Sequence, residues 1–453
     1  MAADATSRTP FPADFIWGAA TSAYQVEGAA ATDGRGPSLW DTFSHTPGNV
    51  LNGATGDVAA DQYHRYPEDI ALMQTLGLRS YRFSISWSRV LPTGKGEVNQ
   101  LGLDYYKRLV DALNAAGIEP MPTLFHWDTP QPLHDKGGWE SRDTALYFGE
   151  YADVVYRALG SQVKTFLTVN EPKTVVQVGY LFGQHAPGKK DLAAATRVLH
   201  HLNLGHGLAV QALRASGVQA QIGPALNLTP MYPADDSPEA LAATAVRDVF
   251  ENRVYLDPMI RGTYPEDGLD QVFDKPALEA VIKDGDLEII STPNDLLAIN
   301  YYAPGFVGPN QESVIKYPIA EPTFWLEIYP PGLHDLLVRI DRDYGQPRMI
   351  ITENGRPTVT PQAADGSYPD DERIEFVRDH LVQAAKALAA GVKLEGYQLW
   401  SLMDNFEWAE GYEQRWGLVH IDFDTLERTP KKSFHWYAEV IRSGGASLFD
   451  STD

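Results

Sequence analysis

The sequence predicts an α/β fold, a single (β/α)₈ TIM barrel with long loops at the C-terminal face of the strands. The prediction rests on eight short strand-like runs, on helical periodicity between many of them, and on the lack of a Gly/Ser-rich linker within the 453 residues. The runs are 15–20, 80–87, 119–126, 165–170, 221–227, 295–302, 348–352 and 395–400. We expect one domain over residues 1–453, with flexible tails at 1–10 and 446–453.

Several segments between these runs have the spacing of an amphipathic helix. The segment from Pro67 to Gly77 has proline at its entry, acids in the first turn, apolar residues on one face and a closing glycine. The segments that end at Gly117 and Gly391 repeat this pattern. A strand followed by a helix that ends at glycine is typical of a parallel sheet.

An open doubly wound sheet is the alternative to a barrel. Such a sheet usually carries a glycine-rich phosphate-binding turn after its first strand, but residues 19–23 here read Ala-Ala-Thr-Ser-Ala. Long irregular segments, 29–56 and 303–331, follow two of the strands. Loops of this length in a compact domain are usually functional, and in a barrel they would rise from the catalytic face.

The composition excludes several classes of function. The chain has no cysteine, which rules out disulfides, thiolate catalysis and cysteine metal sites. Its formal net charge of −23 disfavours nucleic acid and anionic membranes as partners. No run is long enough to span a membrane, and the first ten residues lack the apolar core of a signal peptide, so we expect a cytoplasmic protein.

Two glutamates end strand-like runs and are followed at once by residues that break regular structure. Glu171 ends Thr-Phe-Leu-Thr-Val-Asn-Glu and precedes Pro172, whereas Glu353 ends Met-Ile-Ile-Thr-Glu and precedes Asn-Gly. A barrel brings the carboxyl ends of its strands to one face, so the two carboxylates should meet there. A pair of carboxylates flanking one bond is what acid–base cleavage of a glycosidic bond requires.

Other polar and aromatic residues lie in or just beyond the strand-like runs. They are Gln25, Glu27, Arg82, His126, Trp127, Asn170, Asn227, Asn300, Tyr301, Tyr302, Trp400, Asn405, Glu407 and Trp408. Taken singly, each has a structural explanation, such as a core histidine, a packed tryptophan or an arginine ion pair. Their occurrence at the ends of successive strands favours a site for a sugar, because amides and carboxylates bind hydroxyl groups and indole faces cover the C–H faces of a pyranose.

The chain closely resembles glycoside hydrolase family 1, a family of β-glucosidase-like retaining enzymes with a (β/α)₈ barrel. The resemblance extends from Phe11 to Lys432 and includes both glutamate motifs. Further matching stretches, in the order of the family, are residues 15–28 (FIWGAATSAYQVEG), 81–87 (YRFSISW), 126–128 (HWD) and 404–412 (DNFEWAEGY).

The resemblance implies a role for each matching residue. Glu171 would be the general acid/base and Glu353 the nucleophile, supported by Arg82 and Asn300. The substrate-binding residues would be Gln25, His126, Trp127, Asn170, Tyr302, Trp400, Glu407 and Trp408. Family members that act on 6-phosphorylated glucosides replace the pair at 407 and 408, so the carboxylate of Glu407 implies an unphosphorylated sugar.

The neighbours that the resemblance implies also favour the protonation state that each glutamate needs for its role. A nucleophilic carboxylate must be ionised, and a cation such as Arg82 and a phenol hydrogen bond from Tyr302 both favour the charged form of Glu353. The charge of Glu353 would raise the pKa of Glu171 and keep it protonated. Glycosylation of Glu353 would remove that charge, so Glu171 would then act as the base that activates water.

Two positions depart from the family pattern. Leu326 stands where a tryptophan is usual, with Trp325 one place earlier, and Trp416 replaces a phenylalanine. The resemblance places all three on the leaving-group side. We expect Trp325 and Trp416 to form an apolar entrance there, whereas Leu326 would offer only a small aliphatic surface.

We therefore expect a retaining β-glycosidase that hydrolyses terminal, non-reducing β-D-glucosides, and also β-D-galactosides or fucosides, by double displacement through a covalent glycosyl-enzyme. Its partner would be a small β-glycoside or oligosaccharide, with no cofactor and no metal; the sequence leaves the oligomeric state open. The alternatives are a transglycosylase with the same first half-reaction and a non-catalytic sugar-binding protein. A barrel metallohydrolase is disfavoured, because neither His-x-His nor His-Glu-x-x-His occurs.

Overall fold

Eight parallel strands form a closed barrel in the computed structural model of the chain, which describes residues 10–359 and 361–449. In chain order they are Ile16–Ala20, Ser80–Ser84, Glu119–Phe125, Thr165–Asn170, Gln221–Asn227, Leu297–Asn300, Met349–Glu353 and Leu394–Trp400. Each strand pairs with its predecessor, and the first pairs with the eighth, which sets Ala20 beside Trp400. The predicted barrel is therefore confirmed, and the open sheet is excluded.

Helices follow the strands and cover the outside of the barrel. The long helices are Gln62–Leu76, Gln100–Ala115, Arg142–Leu159, Leu192–Ser216, Pro238–Asp248, Pro331–Asp343, Asp371–Ala389 and Lys432–Arg442. Shorter α-helices are Ala23–Val26, Leu39–Ser44, Trp87–Val90, Gln131–His134, Pro172–Thr174, Val254–Leu256, Leu269–Val272, Lys275–Val281 and Asp286–Ile290. The π-helical segments are Val175–Leu181, Val249–Arg253 and Asp257–Arg261, and the 3₁₀ turns are Thr32–Gly34, Leu51–Gly53, Gly138–Glu140, Trp408–Glu410 and Ala446–Phe449.

Small additional strands lie outside the barrel. Val419–Ile421 pairs with Arg428–Pro430, and Met231–Pro233 joins Gly305–Val307 and Ser313–Val314 in a three-stranded sheet. The last two strands belong to the long segment 303–331, which returns to the barrel mouth.

The first long helix differs from the prediction at its start. It begins at Gln62 rather than at Pro67, so the proline lies inside the helix and lacks the N–H that would bond the carbonyl of Tyr63. The early start buries Tyr63, whose ring stacks on that of Tyr105 with centroids 4.3 Å apart. Packing of this turn outweighs the preference of proline for a helix entry. The predicted end is confirmed, because Gly77 adopts a φ of +80° that favours glycine.

Side chains alternate along each strand between the helix layer and the barrel interior. On the second strand, Tyr81 and Phe83 belong to the main apolar core, whereas Arg82 between them points inward. A separate apolar cluster contains Met121, Leu167, Ala225, Leu296, Ala298 and Ile350. Met121 precedes the inward-facing Thr123 by two residues, so the interior changes from apolar to polar toward the carboxyl ends of the strands.

The sequence predicts flexible tails at both chain ends. Residues 1–9 and 450–453 lie outside the described residues, but Ala446–Phe449 forms a helical turn in which Leu448 is buried. Residues 446–449 thus form regular structure within the expected C-terminal tail, and the flexibility of the tails stays a prediction. Within the described residues, none of the helices combines the length and the apolar character that crossing a membrane requires.

Candidate active site

The carboxyl ends of the strands open into a pocket of about 680 Å³. Eleven of the residues singled out in the sequence line it: His126, Trp127, Glu171, Asn227, Tyr302, Trp325, Glu353, Trp400, Glu407, Trp408 and Trp416. The two long loops also reach the pocket, since Phe43 comes from the first and Phe324 from the second. The barrel therefore brings together residues from all parts of the sequence.

Glu353 lies at the end of the seventh strand and is held at both carboxylate oxygens. Arg82 donates from Nη1 to Oε1 at 2.6 Å, and the hydroxyl of Tyr302 donates to Oε2 at 2.8 Å. Gly355 allows the backbone to pass close to Trp400, because a Cβ at this residue would lie 1.8 Å from the backbone oxygen of Trp400. The expected contacts of Arg82 and Tyr302 with Glu353 are thus present.

Burial dominates the titration of Glu353. It raises the pKa of this carboxyl to about 7, and the neighbouring Glu171 carboxylate adds to the increase. The Arg82 guanidinium and the Tyr302 hydrogen bond act in the opposite direction and lower the pKa. Burial also raises the pKa of Tyr302 far above its ordinary value, so its hydroxyl keeps the proton that it donates. Arg82 and Tyr302 therefore offset part, but not all, of the free-energy cost of burying the charged form of Glu353.

Glu171 follows the fourth strand in a left-handed backbone conformation, with a φ of +46°. Asn300 donates from Nδ2 to Oε1 at 2.8 Å, and the hydroxyl of Thr174 donates to Oε2 at 2.8 Å. Positive φ is costly for a residue with a Cβ and is characteristic of functional sites. Trp127 and Trp408, also in the pocket, share this feature with φ of +79° and +49°.

Asn170 and Asn300 lie fully buried behind the pocket wall and connect the two glutamates. Oδ1 of Asn170 accepts from Arg82 Nη2 at 2.6 Å and from Asn300 Nδ2 at 3.0 Å. Asn170 Nδ2 donates to His126 Nε2 at 3.0 Å. A chain of hydrogen bonds therefore runs from Glu353 through Arg82 and both asparagines to Glu171.

His126 is neutral in this environment. Burial, with a further contribution from Arg82, holds the pKa of its imidazole well below the usual value. Because its Nε2 accepts from Asn170, the proton must be on Nδ1, an atom for which the described residues provide no hydrogen-bond partner. Nδ1 of His126 is thus a buried donor without a partner among the described residues.

Glu407 is the third carboxylate of the pocket. Burial raises its pKa to about 8, and the carboxylates of Glu353 and Glu171 add to the shift. The Gln25 side chain approaches it, with Nε2 3.4 Å from Oε2, but Gln25 is fully buried and also donates to Asn405 Oδ1 and to the Phe406 carbonyl. Gln25 therefore supports the segment that carries Glu407, and its predicted role in substrate binding stays a prediction.

A group of aromatic rings forms one side of the pocket. Trp127 and Trp408 have centroids 4.5 Å apart, and the ring of His126 lies nearly parallel to that of Trp400 at 5.8 Å. Trp400 and Trp408 are 4% and 3% exposed, so their rings are fixed by packing. Rigid aromatic faces of this kind suit the C–H faces of a sugar ring.

The leaving-group side differs from the expectation at Leu326. This side chain is fully buried in the main core and does not line the pocket, because its backbone is held by Thr323 and Ala320 and turns it inward. Trp325, in contrast, is 43% exposed and lies against Tyr302 with centroids 5.9 Å apart. Trp416 is buried and contacts the other side chains of this wall, Tyr302 and Trp325.

Three further residues contact Glu171 or Arg82, and of these only Asn227 was singled out in the sequence. Thr174 binds Glu171 directly, Asn227 lies with Nδ2 3.4 Å from Glu171 Oε2, and Thr123 accepts from Arg82 Nε at 3.1 Å. Thr174 could have been found from its spacing, because it follows Glu171 by three residues at the start of a helix.

Within the described residues, no group of three or more His, Asp or Glu side chains could hold a metal ion.

The chain is similar to known proteins over almost its whole length. Residues 7–446 match the model for glycosyl hydrolase family 1. The chain is similar to β-glucosidase A of Acetivibrio thermocellus, with 48% identity over 97% of this chain and 100% of the relative. It is also similar to the bifunctional β-D-glucosidase/β-D-fucosidase of Bifidobacterium breve, with 41% identity over 96% of this chain and 99% of the relative. The solved structure of β-glucosidase from Thermotoga maritima in complex with galacto-hydroximolactam superposes with a TM-score of 0.91 and 41% identity, covering 97% of this chain and 100% of that one.

The hydrogen bond from Tyr302 gives a testable prediction for Glu353. Replacing Tyr302 by Phe removes a donor to the charged form, so the pKa of Glu353 should rise above about 7, by roughly one unit. A ¹³C NMR titration of labelled glutamate, with the Glu353→Gln variant to assign the signal, measures this shift.

Tyr301→Phe is the matched control, because the hydroxyl of Tyr301 donates to the Tyr329 carbonyl and not to Glu353. It should leave the Glu353 titration unchanged. An unchanged titration in Tyr302→Phe as well would contradict the role given to this hydrogen bond.

Proposed function

The chain belongs to glycosyl hydrolase family 1, and we propose that Glu353 and Glu171 carry its chemistry as nucleophile and general acid/base within a single catalytic domain. The enzyme is a β-glucosidase that hydrolyses terminal β-D-glucosides with retention of configuration, as is general in this family. The observation that supports the assignment best is the double hydrogen bond of Arg82 and Tyr302 to Glu353, in the same pocket as Glu171.

The first half-reaction breaks the glycosidic bond. A carboxylate oxygen of Glu353 attacks the anomeric carbon while Glu171 gives its proton to the glycosidic oxygen, and the leaving group departs as an alcohol. The product is a glycosyl ester of Glu353. Arg82 and Tyr302 direct the carboxylate and stabilise its charge before the attack.

The second half-reaction releases the sugar. Glu171, now a carboxylate, takes a proton from water as the water oxygen attacks the anomeric carbon, and the bond to Glu353 breaks. Two inversions give net retention, and both glutamates return to their initial states. An acceptor alcohol in place of water would give transglycosylation by the same steps.

The glycone would be held by Glu407, by the imidazole of His126 and by the faces of Trp400 and Trp408. A hydroxyl accepts from an N–H and donates to a carboxylate, so these groups can bind it in more than one orientation. We therefore propose that β-D-galactosides and β-D-fucosides also react. The names of the Bifidobacterium breve relative and of the Thermotoga maritima complex are consistent with this breadth.

The cellular setting is also part of the proposal. We infer that the protein acts in the cytoplasm on small β-glycosides or oligosaccharides, without a nucleic-acid or membrane partner. The net charge of −23 supports the last point, because like charges repel phosphate-rich partners.

The catalytic assignment can be tested by trapping and by substitution. A 2-deoxy-2-fluoro-β-glucoside with a good leaving group should label Glu353, which peptide mass spectrometry would locate. Glu171→Gln should lower kcat/KM by roughly 10²–10⁴-fold for a poor leaving group, and much less for an activated aryl group that needs no proton. Labelling at another residue, or inversion at the anomeric carbon by NMR, would refute the mechanism.

The glycone assignment predicts a specific loss on substitution of Glu407. Glu407→Ala should lower kcat as well as raise KM for β-glucosides and β-galactosides, because contacts remote from the anomeric carbon help to reach the transition state. Steady-state kinetics on both sugars measure this. A parent enzyme that cleaved only 6-phosphorylated glucosides would contradict the role of Glu407.

A further inference from the structure

The two carboxyl oxygens of Glu171 have different surroundings. Oε1 accepts a hydrogen bond from Asn300 Nδ2 at 2.8 Å, and Asn300 is fully buried. The same amide nitrogen donates to Asn170 Oδ1 at 3.0 Å. That oxygen also accepts from Arg82, so the orientation of the Asn300 amide is fixed. Oε1 therefore faces a permanent donor behind the pocket wall.

The other oxygen, Oε2, lies on the pocket side. Its two partners, Thr174 and Asn227, both line the pocket and are only partly buried. The Thr174 hydroxyl donates to Oε2 at 2.8 Å, whereas Asn227 Nδ2 is 3.4 Å away. The proton that the acid form of Glu171 gives to a substrate is therefore carried on Oε2, and Thr174 is the nearer partner of that oxygen.

Hydrogen bonds are the means by which this site stabilises a charge on Glu171. Glu353 has the guanidinium of Arg82 at 2.6 Å, but among the described residues no Lys or Arg forms a salt bridge with Glu171. Lys173 follows Glu171 by two residues, but it is buried and pairs with Glu251. A carboxylate formed at Glu171 thus depends on its side-chain donors, and a hydrogen bond to a charged group is stronger than one to a neutral group.

We propose that Thr174 is a positioning residue of this enzyme, whose hydroxyl holds Oε2 of Glu171 as the proton-donating oxygen and stabilises the charge that appears on Glu171 in the first half-reaction. The inference rests on the proposed function, since it takes Glu171 as the general acid. The O–H bond of Glu171 breaks and its proton goes to the glycosidic oxygen, which keeps the electron pair of the cleaved bond and departs as an alcohol. The hydrogen bond from Thr174 becomes charge-assisted during this step, so it is stronger in the transition state than with substrate bound.

Thr174→Val removes the hydroxyl and keeps the shape of the side chain, and its effect should depend on the leaving group. For methyl β-D-glucoside, whose leaving group needs a proton, kcat/KM should fall roughly threefold to tenfold. For 2,4-dinitrophenyl β-D-glucoside, whose leaving group needs none, kcat/KM should stay within about twofold of the parent value. The second half-reaction does not enter this comparison, because kcat/KM measures the barrier from free enzyme and substrate to the first half-reaction.

Two further variants separate the hydroxyl from the fold. Thr174→Ser keeps a donor and should restore most of the activity on methyl glucoside. Thr75→Val makes the same replacement at an exposed helical threonine whose hydroxyl donates to the Ala71 carbonyl, and it should leave kcat/KM unchanged for both glucosides. If the serine variant lost as much activity as the valine variant, or if Thr174→Val lowered kcat/KM equally for both glucosides, the proposal would be wrong.

The pH profile on methyl glucoside gives an independent measurement. Removing a donor to the charged form favours the protonated form of Glu171, so in Thr174→Val the basic limb of kcat/KM should move to higher pH by roughly half a unit to one unit. The other titratable and charged groups around Glu171 are the same in both enzymes. They are Glu353, Glu407, Glu410, His126, His185 and Tyr302 in the pocket lining, Lys173 beside it and Arg82 behind the wall. A profile that is lowered without being shifted would indicate structural damage alone and would overturn the proposal.

Glu171→Gln distinguishes failure of this inference from failure of the proposed function. If that variant loses no more activity on methyl than on 2,4-dinitrophenyl glucoside, Glu171 is not the general acid and both proposals fail. If Glu171→Gln shows this difference and Thr174→Val does not, the general acid stands and the role of Thr174 alone is refuted.

Discussion

The buried pair of Arg82 and Glu353 is the interaction on which the active site depends. Both side chains are almost without solvent contact, and the guanidinium uses all three nitrogens, donating to Thr123, Thr352, Glu353 and Asn170. A buried charge is costly unless it is paired and its hydrogen bonds are satisfied. This network meets that condition, and it fixes the nucleophile candidate relative to three other strands.

The network also explains why a closed barrel is needed. Arg82 lies on the second strand, Asn170 ends the fourth, Asn300 the sixth and Glu353 the seventh. Hydrogen bonds between these residues cross the barrel interior, where side chains from non-adjacent strands meet. In an open sheet the second and seventh strands would lie too far apart for Arg82 to reach Glu353.

Glu171, Glu353 and Glu407 lie in this pocket, and burial is the main cause of the raised pKa values of Glu353 and Glu407. The pKa values of Glu353 and Glu407 are raised to about 7 and about 8, so the pocket does not hold all of its carboxylates ionised near neutral pH. Arg82 is directed at Glu353, whereas Glu407 receives only a distant amide hydrogen bond from Gln25. The position of the Arg82 guanidinium therefore distinguishes the nucleophile candidate from the glycone-binding carboxylate.

The sequence by itself determined the barrel, the order of its strands and eleven of the residues that line the pocket. Strands can be recognised from local composition, and these site residues lie at or near the strand ends. Only the tertiary structure decided which way individual side chains face. Pro67 lies inside its helix, Leu326 turns into the core, and Gln25 supports Glu407 from behind the wall. These outcomes depend on packing against residues distant in sequence, such as Tyr105 against Tyr63 and Asn405 against Gln25. The pKa of Glu353 was likewise decided by the tertiary structure, because it depends on burial and on the Arg82 charge, and the local sequence specifies neither.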